Sequence, residues 1–456
     1  MNVGATTYQA YQLLHNGALA LGRAERQGIR IDMDYCESKK THLTRKIEHL
    51  TKKVEDSPLY SRWFKIYRNK TNIDSNHQLS RVLYKSMGIE PPKVTGSGEG
   101  STDEDTLGKI DGVPELEWIL EIRKLRKIRD TYLEAFIREQ YDGYVHPFFN
   151  LHTVRTYRSS SDRPNFQNIP KRDAEAKRIT RRALLPRPGH QLIEADYSGV
   201  EVAIGACYHK DPVMIKYIKD PSSDMHLDMA RQIYLMPDLK KEGPGKLLRQ
   251  SAKNGFVFPQ FYGDYYANNA AGICGWTKLP NGRWKPGQGV PSPYGGTISD
   301  HLISKGITSY DQFVNHIQDI ERDFWGRRFK VYSKWKDAWV GQYQKRGYFD
   351  MYTGFRCSGI MKKNEAVNYP IQGSAFHCLL WSFIRLDEIM RKEGWDTRLI
   401  GQIHDSIIMD VNPDELEYVK QVVTRVATQE LPAAWKWINV PLEIEIDEYG
   451  VDQPWM

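Results

Sequence analysis

The chain has 456 residues, 40% hydrophobic and 27% charged, with a formal net charge of +7, enough to bury a sizeable core in roughly two to four subdomains and basic enough to permit, without requiring, a polyanionic partner. Its longest apolar stretches, such as Ala375 to Ile384, run to about ten residues, short of the roughly 20 that cross a bilayer, so no membrane span is expected. The five cysteines, Cys36, Cys207, Cys274, Cys357 and Cys378, are scattered and odd in number, which excludes a paired zinc motif and fits a reduced, intracellular setting.

Residues 8 to 26 have helix-forming composition, and Gly28 stops that helix before the short extended piece Ile29-Arg30-Ile31. Tyr35 to Val54 is Lys-rich and periodic, a solvated surface helix or one that projects from the body. A flexible loop follows at Val94 to Thr106, with Gly96, Gly98 and Gly100, and then a helical stretch at Pro114 to Tyr132. There Arg123, Lys124, Arg126, Lys127 and Arg129 crowd together, and 123, 126 and 127 share one face. Such a stripe serves as a hydrated face or as a set of phosphate contacts.

Leu192 to Ser198 reads as a buried strand ending in Asp196, followed by a helix carrying Glu201. Further on, Arg249 and Lys253 stand four apart, so on a helix they point the same way and suit a triphosphate. Phe258, Phe261 and Tyr262 add flat surfaces beside a base. The stretch 264–306 is rich in Gly, Pro and aromatic residues and reads as an irregular surface insertion, after which 311–343 returns to helical periodicity. Leu399 to Ile403 and Ile407 to Val411 are apolar runs flanking His404-Asp405-Ser406, a hairpin with Asp405 at its tip. A carboxylate at a strand end is most often a turn residue or cap. Two that meet make a site for hard cations such as Mg²⁺.

Taken together and in this order, the segments around Asp196, Arg249 to Gly263 and Asp405 resemble the three motifs of family A DNA polymerases, the DNA polymerase I type. Arg158 to Pro170 is similar to the family's primer-binding signature, Asn368 to Gly373 to the motif after the fingers, and Asp224-Met225-His226 to the Asp-x-His before the nucleotide-binding helix. The resemblance covers essentially the whole chain. It implies an α/β right-hand fold with an antiparallel palm sheet, helical fingers and a helical thumb. Residues 1–32 would lead into the palm, 33–118 form the thumb, 119–208 and 361–456 the palm, and 209–360 the fingers with the 264–306 insertion.

The implied activity is template-directed addition of deoxynucleotides to a primer 3′ end by two-metal-ion transfer, with release of pyrophosphate. Asp196 and Asp405 match the family's metal ligands, joined by the Tyr197 carbonyl; the cofactor would be two Mg²⁺ ions, with Mn²⁺ able to substitute. Arg249, Lys253 and His226 match the triphosphate contacts, with Lys253 as proton donor to pyrophosphate. Glu201 matches the gate against a 2′-hydroxyl, beside Tyr262 and Phe258. Arg158, Asn165, Gln167, Asn368 and Gln372 should face the minor groove of the primer-template, and His404 the primer end. The implied partners are primer-template DNA, dNTPs and, in trans, an exonuclease or other replication proteins, the chain itself acting as a monomer without membrane attachment.

Several positions depart from the family pattern. Four residues, Asn254 to Val257, separate Lys253 from Phe258 where three are usual; one extra residue turns a helix by about 100°, and a wide turn at Gly255 would absorb it. Pro259 and Tyr157 each replace a usual Gly, Gly199 a usual polar residue, and Ser406 a frequent Glu. Only about 30 residues precede the thumb, so no 3′→5′ exonuclease is expected in this chain. The insertion and compact length suggest a bacteriophage source and a bacterial host cytoplasm. A single-chain RNA polymerase and an idle DNA-binding subunit are the rival readings; Glu201 and the primer-binding signature oppose the first, the retained Asp196, Asp405, Arg249 and Lys253 the second.

Overall fold

The computed structural model describes residues 5–171, 173–273, 276–278, 284–286 and 291–456. Thr6 opens the first helix, Thr7–Gln27, through a reciprocal capping box with Gln9, and Gly28 ends it at φ 69°. A side chain at Gly28 would meet the Val145 carbonyl at 2.9 Å. The chain then pairs Ile29–Ile31 between Tyr144–Val145 and Leu184–Leu185, all antiparallel.

The helix expected at 35–54 spans Met33–Glu55, capped by Asp32. It is not simply a solvated surface helix. Cys36, Leu43, Ile47 and Val54 form one buried stripe that packs against the helix Glu115–Arg126. That second helix continues through a wide π turn at Lys127–Leu133 into Glu134–Glu139. The division placed at 118/119 therefore falls inside a continuous helix.

The central sheet has the order Arg398–Ile403, Ser406–Val411, Gln191–Tyr197, Ile444–Glu448, antiparallel throughout. Ser406–Val411 is buried along its whole length and Gln191–Tyr197 at all but one position, which explains why these strands read as apolar runs rather than alternating ones. Against this layer pack the first helix and the 31-residue helix Lys363–Glu393. Gly17 permits the contact, since a Cβ there would lie 2.9 Å from Leu380.

Between the two central strands in sequence lies a helical region, from Val200–His209 through Lys330–Arg346, sealed by a cluster of Phe256, Phe261, Phe324, Trp325, Phe329 and Tyr332. The stretch expected to be irregular, 264–306, contains the helices Tyr266–Gly272 and Ile298–Ser304 and the paired strands Trp276–Lys278 and Trp284–Pro286. Ala270, Ile273, Ile298 and Leu302 are buried, so part of its apolar content builds core. Its Gly287 and Gly289 lie outside the described residues. Among the described residues, no helix is long and apolar enough to cross a membrane.

Candidate active site

Two adjacent strands deliver the two aspartates. Ser406 pairs with Asp196 across the sheet, and the Tyr197 amide donates to the Asp405 carbonyl at 3.0 Å. The hairpin is tighter than the sequence suggests, because Ile403 pairs directly with Ser406 and only His404 and Asp405 form the turn. His404 has φ 55°, a left-handed conformation that favours glycine at the first position of such a turn. Its imidazole faces both cavities described below, which gives a reason for carrying a side chain there.

Burial, and then the neighbouring Asp405, push the Asp196 carboxyl up to about 6; burial raises Asp405 as well. Asp196 Oδ1 is buried without a hydrogen-bond partner, while Oδ2 lies 3.4 Å from the Lys171 ammonium. Two crowded carboxylates with an unsatisfied oxygen fit a hard divalent cation, which would relieve both the repulsion and the lost hydration. Tyr197 can contribute only its backbone, because its ring is buried and its hydroxyl is paired with Ser382 Oγ at 2.7 Å. Among the described residues, no three His, Cys, Asp or Glu side chains gather as a ready metal nest, so backbone and substrate oxygens would have to complete the shell.

Beside the aspartates lies a cavity of about 530 Å³, lined by Arg158, Glu201, Phe258, Tyr262, Asn368, Gln372, His404 and Asp405. Glu201 is fixed on two sides. The Tyr262 hydroxyl donates to its Oε2 at 2.9 Å, and the Arg158 guanidinium pairs with its Oε1. Arg158 also donates from Nε to the Gln372 carbonyl at 3.3 Å. The next residue, Gly373, makes that approach possible, since a Cβ there would fall 2.4 Å from the Thr156 carbonyl.

A second, larger groove of about 1080 Å³ runs from this site toward the helix Glu115–Arg126; Arg123, Lys124, Lys127, Gln167, Lys171 and His404 are among its walls. The basic stripe inferred there is mostly neutralised. Arg126 pairs with Asp74, Arg129 with Asp130, and Lys124 with Glu121 and Glu175, while Arg123 donates inward to the Thr102 carbonyl at 2.8 Å. Lys127 alone of the five is exposed to the groove without an ion pair among the described residues. Gln167 lines the groove, its amide nitrogen 2.7 Å from Ser159 Oγ. Asn165 is exposed and lines neither cavity.

Arg249, Lys253 and His226 do not line the cavity beside the aspartates; Lys253 and His226 meet Phe258, which does. Arg249 donates from Nε to Asp224 Oδ2 at 2.7 Å, with Lys241 3.6 Å from the same oxygen. Lys253 sits over the Phe258 ring at 5.0 Å, and His226 meets that ring edge-on at 5.7 Å. Burial, reinforced by Arg249 and Lys253, pushes the His226 imidazole down to about 4, so it is neutral near pH 7, and its Nδ1 is buried without a partner. The expected wide turn is present: Lys253–Val257 is a π turn between Pro244–Ala252 and Phe258–Phe261. Gly255 lets the end of the next helix pack there, its Cβ position being 3.0 Å from Ile273.

The family model described as DNA polymerase family A matches residues 34–270 and 326–454. The chain belongs to DNA polymerase family A. The internal stretch between the two matched ranges, 271–325, overlaps the stretch read as an insertion. The chain is 25% identical over 455 residues to the thermostable DNA polymerase I of Thermus thermophilus, covering 96% of this chain and 47% of that protein. It is 30% identical over 375 residues to DNA polymerase I of Aquifex aeolicus (strain VF5), covering 81% and 56%. The chain thus spans about half the length of the curated relatives it matches. The POL domain of Pol1 from M. smegmatis, solved in complex with DNA primer-template and dNTP, shares the fold with a TM-score of 0.74 at 22% identity, over 96% of this chain and 69% of that one.

The fold of this family A chain is accordingly the right-hand polymerase fold, with an antiparallel palm sheet, helical fingers and a helical thumb. Its departures from the family pattern now have physical readings. Tyr157, where a Gly is usual, keeps a left-handed φ of 58° and is held by its hydroxyl on the Arg356 carbonyl at 2.7 Å and its ring on Phe355 at 4.8 Å. Gly199 is left-handed at φ 61°, opening the helix that carries Glu201. One residue at the centre of the site escaped sequence reading: Lys171, bonded to Asp196 and placed in the walls of both cavities. Its only sequence signal is a cation directly after Ile169-Pro170.

Proposed function

We propose that the chain is a template-directed DNA polymerase that adds deoxynucleotides to a primer 3′ end and releases pyrophosphate. The observation that carries this reading is the meeting of Asp196, with its unpartnered buried oxygen, and Asp405 beside a cavity that Asp405 lines together with the Tyr262–Glu201–Arg158 network. Asp196, Asp405 and the Tyr197 carbonyl would hold two Mg²⁺ ions, or Mn²⁺ in their place, which when bound supply charge neutralisation and a more acidic primer hydroxyl.

Within that reading the side chains have distinct tasks. Glu201 closes the sugar side of the cavity and leaves no room for a 2′-hydroxyl, while Phe258 and Tyr262 flank the base. Arg249, Lys253 and His226 offset the triphosphate charge, and Lys253 supplies a proton to the departing pyrophosphate. Arg158, Asn165, Gln167, Asn368 and Gln372 touch minor-groove acceptors common to all base pairs, which tests pair geometry without reading sequence, and His404 approaches the primer end. The thumb is assigned to 33–118, continuing along its helix to 139, the fingers to 209–360 and the palm to the remainder. A monomer at work in the cytoplasm, alongside an exonuclease or other replication proteins in trans, belongs to the same proposal. So does a bacteriophage source, motivated by the Gly- and Pro-rich insertion, although the relatives named above are bacterial.

Extension of a labelled primer on a template tests the proposal. The wild-type chain should extend with dNTPs and Mg²⁺ or Mn²⁺, and Asp405→Ala should reduce the rate by about 10³-fold or more. Extension by Asp405→Ala at the wild-type rate, or none by the wild type with either metal, would overturn it.

A further inference from the structure

Lys171 stands where three lines of chemistry cross. Its ammonium is 3.4 Å from Asp196 Oδ2, 3.7 Å from Glu194 Oε1 and 3.3 Å from Ser406 Oγ. Glu194 does not depend on it. That carboxylate is buried, receives Arg181 at 2.8 Å and the Trp455 indole at 3.2 Å, and Arg181 in turn lies over the Trp455 ring at 3.9 Å. Asp196, with its other oxygen unpartnered, has only Lys171 as a charged partner among the described residues.

A lysine so placed cannot be indifferent to a cation on the same carboxylate. Like charges a few ångströms apart in a partly buried site repel, so the ammonium and a divalent ion compete for Asp196. The Lys171 side chain is one-third exposed and carries a flexible four-carbon stem. It borders both the nucleotide cavity and the long groove, so a turn of that stem takes the ammonium from Asp196 to whatever anion lies at the junction. Resting on the polymerase reading, that anion is a backbone phosphate of the primer's 3′-terminal region.

We propose that Lys171 is a positioning residue that guards Asp196 as an internal counter-cation in the DNA-free enzyme and transfers to a primer phosphate when the duplex arrives. Metal loading is thereby linked to DNA binding. In the free enzyme the lysine weakens metal binding. In the complex it adds a phosphate contact, and its departure opens Asp196.

The test uses the full chain and two equilibria, neither of them turnover. Mn²⁺ binding to DNA-free protein is followed by electron paramagnetic resonance for the wild type, Asp405→Asn, Lys171→Met and Lys171→Arg. Wild-type binding that Asp405→Asn removes supports the metal reading itself; no binding by either the wild type or Lys171→Met overturns that reading and the present one with it. Given wild-type binding, Lys171→Met should bind Mn²⁺ about three- to tenfold more tightly, and Lys171→Arg should stay near wild type. In the second measurement, primer-template affinity is titrated against salt with Mg²⁺ and no nucleotide, where Lys171→Met should lower the slope of log K against log salt by about one. A purely structural lysine would weaken Mn²⁺ binding on removal. Unchanged or weaker Mn²⁺ binding in Lys171→Met, an Arg variant that follows Met, or an unchanged salt slope overturns the proposal.

Discussion

The Tyr262 hydroxyl donates to the Glu201 carboxylate at 2.9 Å, tying the end of the helix Phe258–Phe261 to the helix Val200–His209. Their union with Arg158 makes the proposed gate a network rather than a single bulky side chain. Glu201→Ala should therefore narrow the preference for dNTP over rNTP by about 10- to 100-fold, roughly 1.4–2.8 kcal/mol. Tyr262→Phe keeps the ring and leaves Arg158 in place, so it should narrow the preference only a few-fold. The ratio of kcat/KM for matched dNTP and rNTP incorporation measures both, and an unchanged ratio in Glu201→Ala would remove the carboxylate from the gate.

The π turn at Lys253–Val257 implies that the extra residue is locally absorbed. Asn254 is exposed, and its deletion should collapse the wide turn to an α turn while Phe258 and Tyr262 keep their facing, leaving primer extension within about tenfold of wild type. Insertion of one alanine after Asn254 has no such slack. It should rotate the following residues by about 100° and abolish extension. Gly255→Leu would drive a side chain into Ile273, already 3.0 Å from the Cβ position, and should cost about 1–3 kcal/mol in urea unfolding. Equal activity of the deletion and insertion variants would refute the account.

Much of this site was readable because its determinants are local in sequence. Apolar runs ending in Asp196 and flanking His404-Asp405 define strands and a turn, and a residue count between Lys253 and Phe258 exposes a helix defect. What escaped depends on distant side chains. Asp74 lies 52 residues from the Arg126 it neutralises, and Glu175 neutralises Lys124 from another helix, so a stripe that looks cationic in sequence is largely discharged in space. Lys171 was hidden for the same reason, since Asp196, Glu194 and Ser406 reach it only after the sheet has formed. The buried stripe of Met33–Glu55 was masked by its many lysines, whose ammonium groups dominate composition although the periodic apolar positions decide packing.

The discharged stripe yields its own prediction. Lys127→Ala should lower the salt slope of primer-template binding by about 0.9 with little effect on stability, as expected for one lost phosphate contact. Arg123→Ala should behave differently, because its guanidinium donates to the Thr102 carbonyl and its Nη2 is buried. There the expected result is a stability loss of about 1–3 kcal/mol in urea unfolding. A Lys127 variant with the full wild-type slope would show that the duplex does not run along this groove.

Stability should also fall with mild acid, through histidines that are buried in the neutral form. His377 is the clearest case: its Nδ1 pairs with the Thr353 hydroxyl at 2.7 Å, its Nε2 with the Tyr157 carbonyl at 3.2 Å, and its ring stacks on Phe355. Since a carbonyl can only accept, Nε2 carries the hydrogen and Nδ1 accepts from Thr353, so a second ring proton would first have to turn the Thr353 hydroxyl out of that bond. Burial pushes this imidazole down to about 3, and His209 and His226 shift in the same direction. An unfolded histidine takes up its proton near pH 6.5, so below that value the unfolded state binds more protons and the folded state loses ground. The contribution is fully present above about pH 6.5 and declines by roughly 1.4 kcal/mol per pH unit for each such histidine until the folded group titrates. His377→Gln should be less stable than wild type at pH 7.5, and the gap should shrink by about 1 kcal/mol at pH 5.5, because the variant has lost one of the groups that resist protonation. Urea unfolding at the two pH values measures the gap, and a gap of the same size at both would mean that His377 is not held neutral.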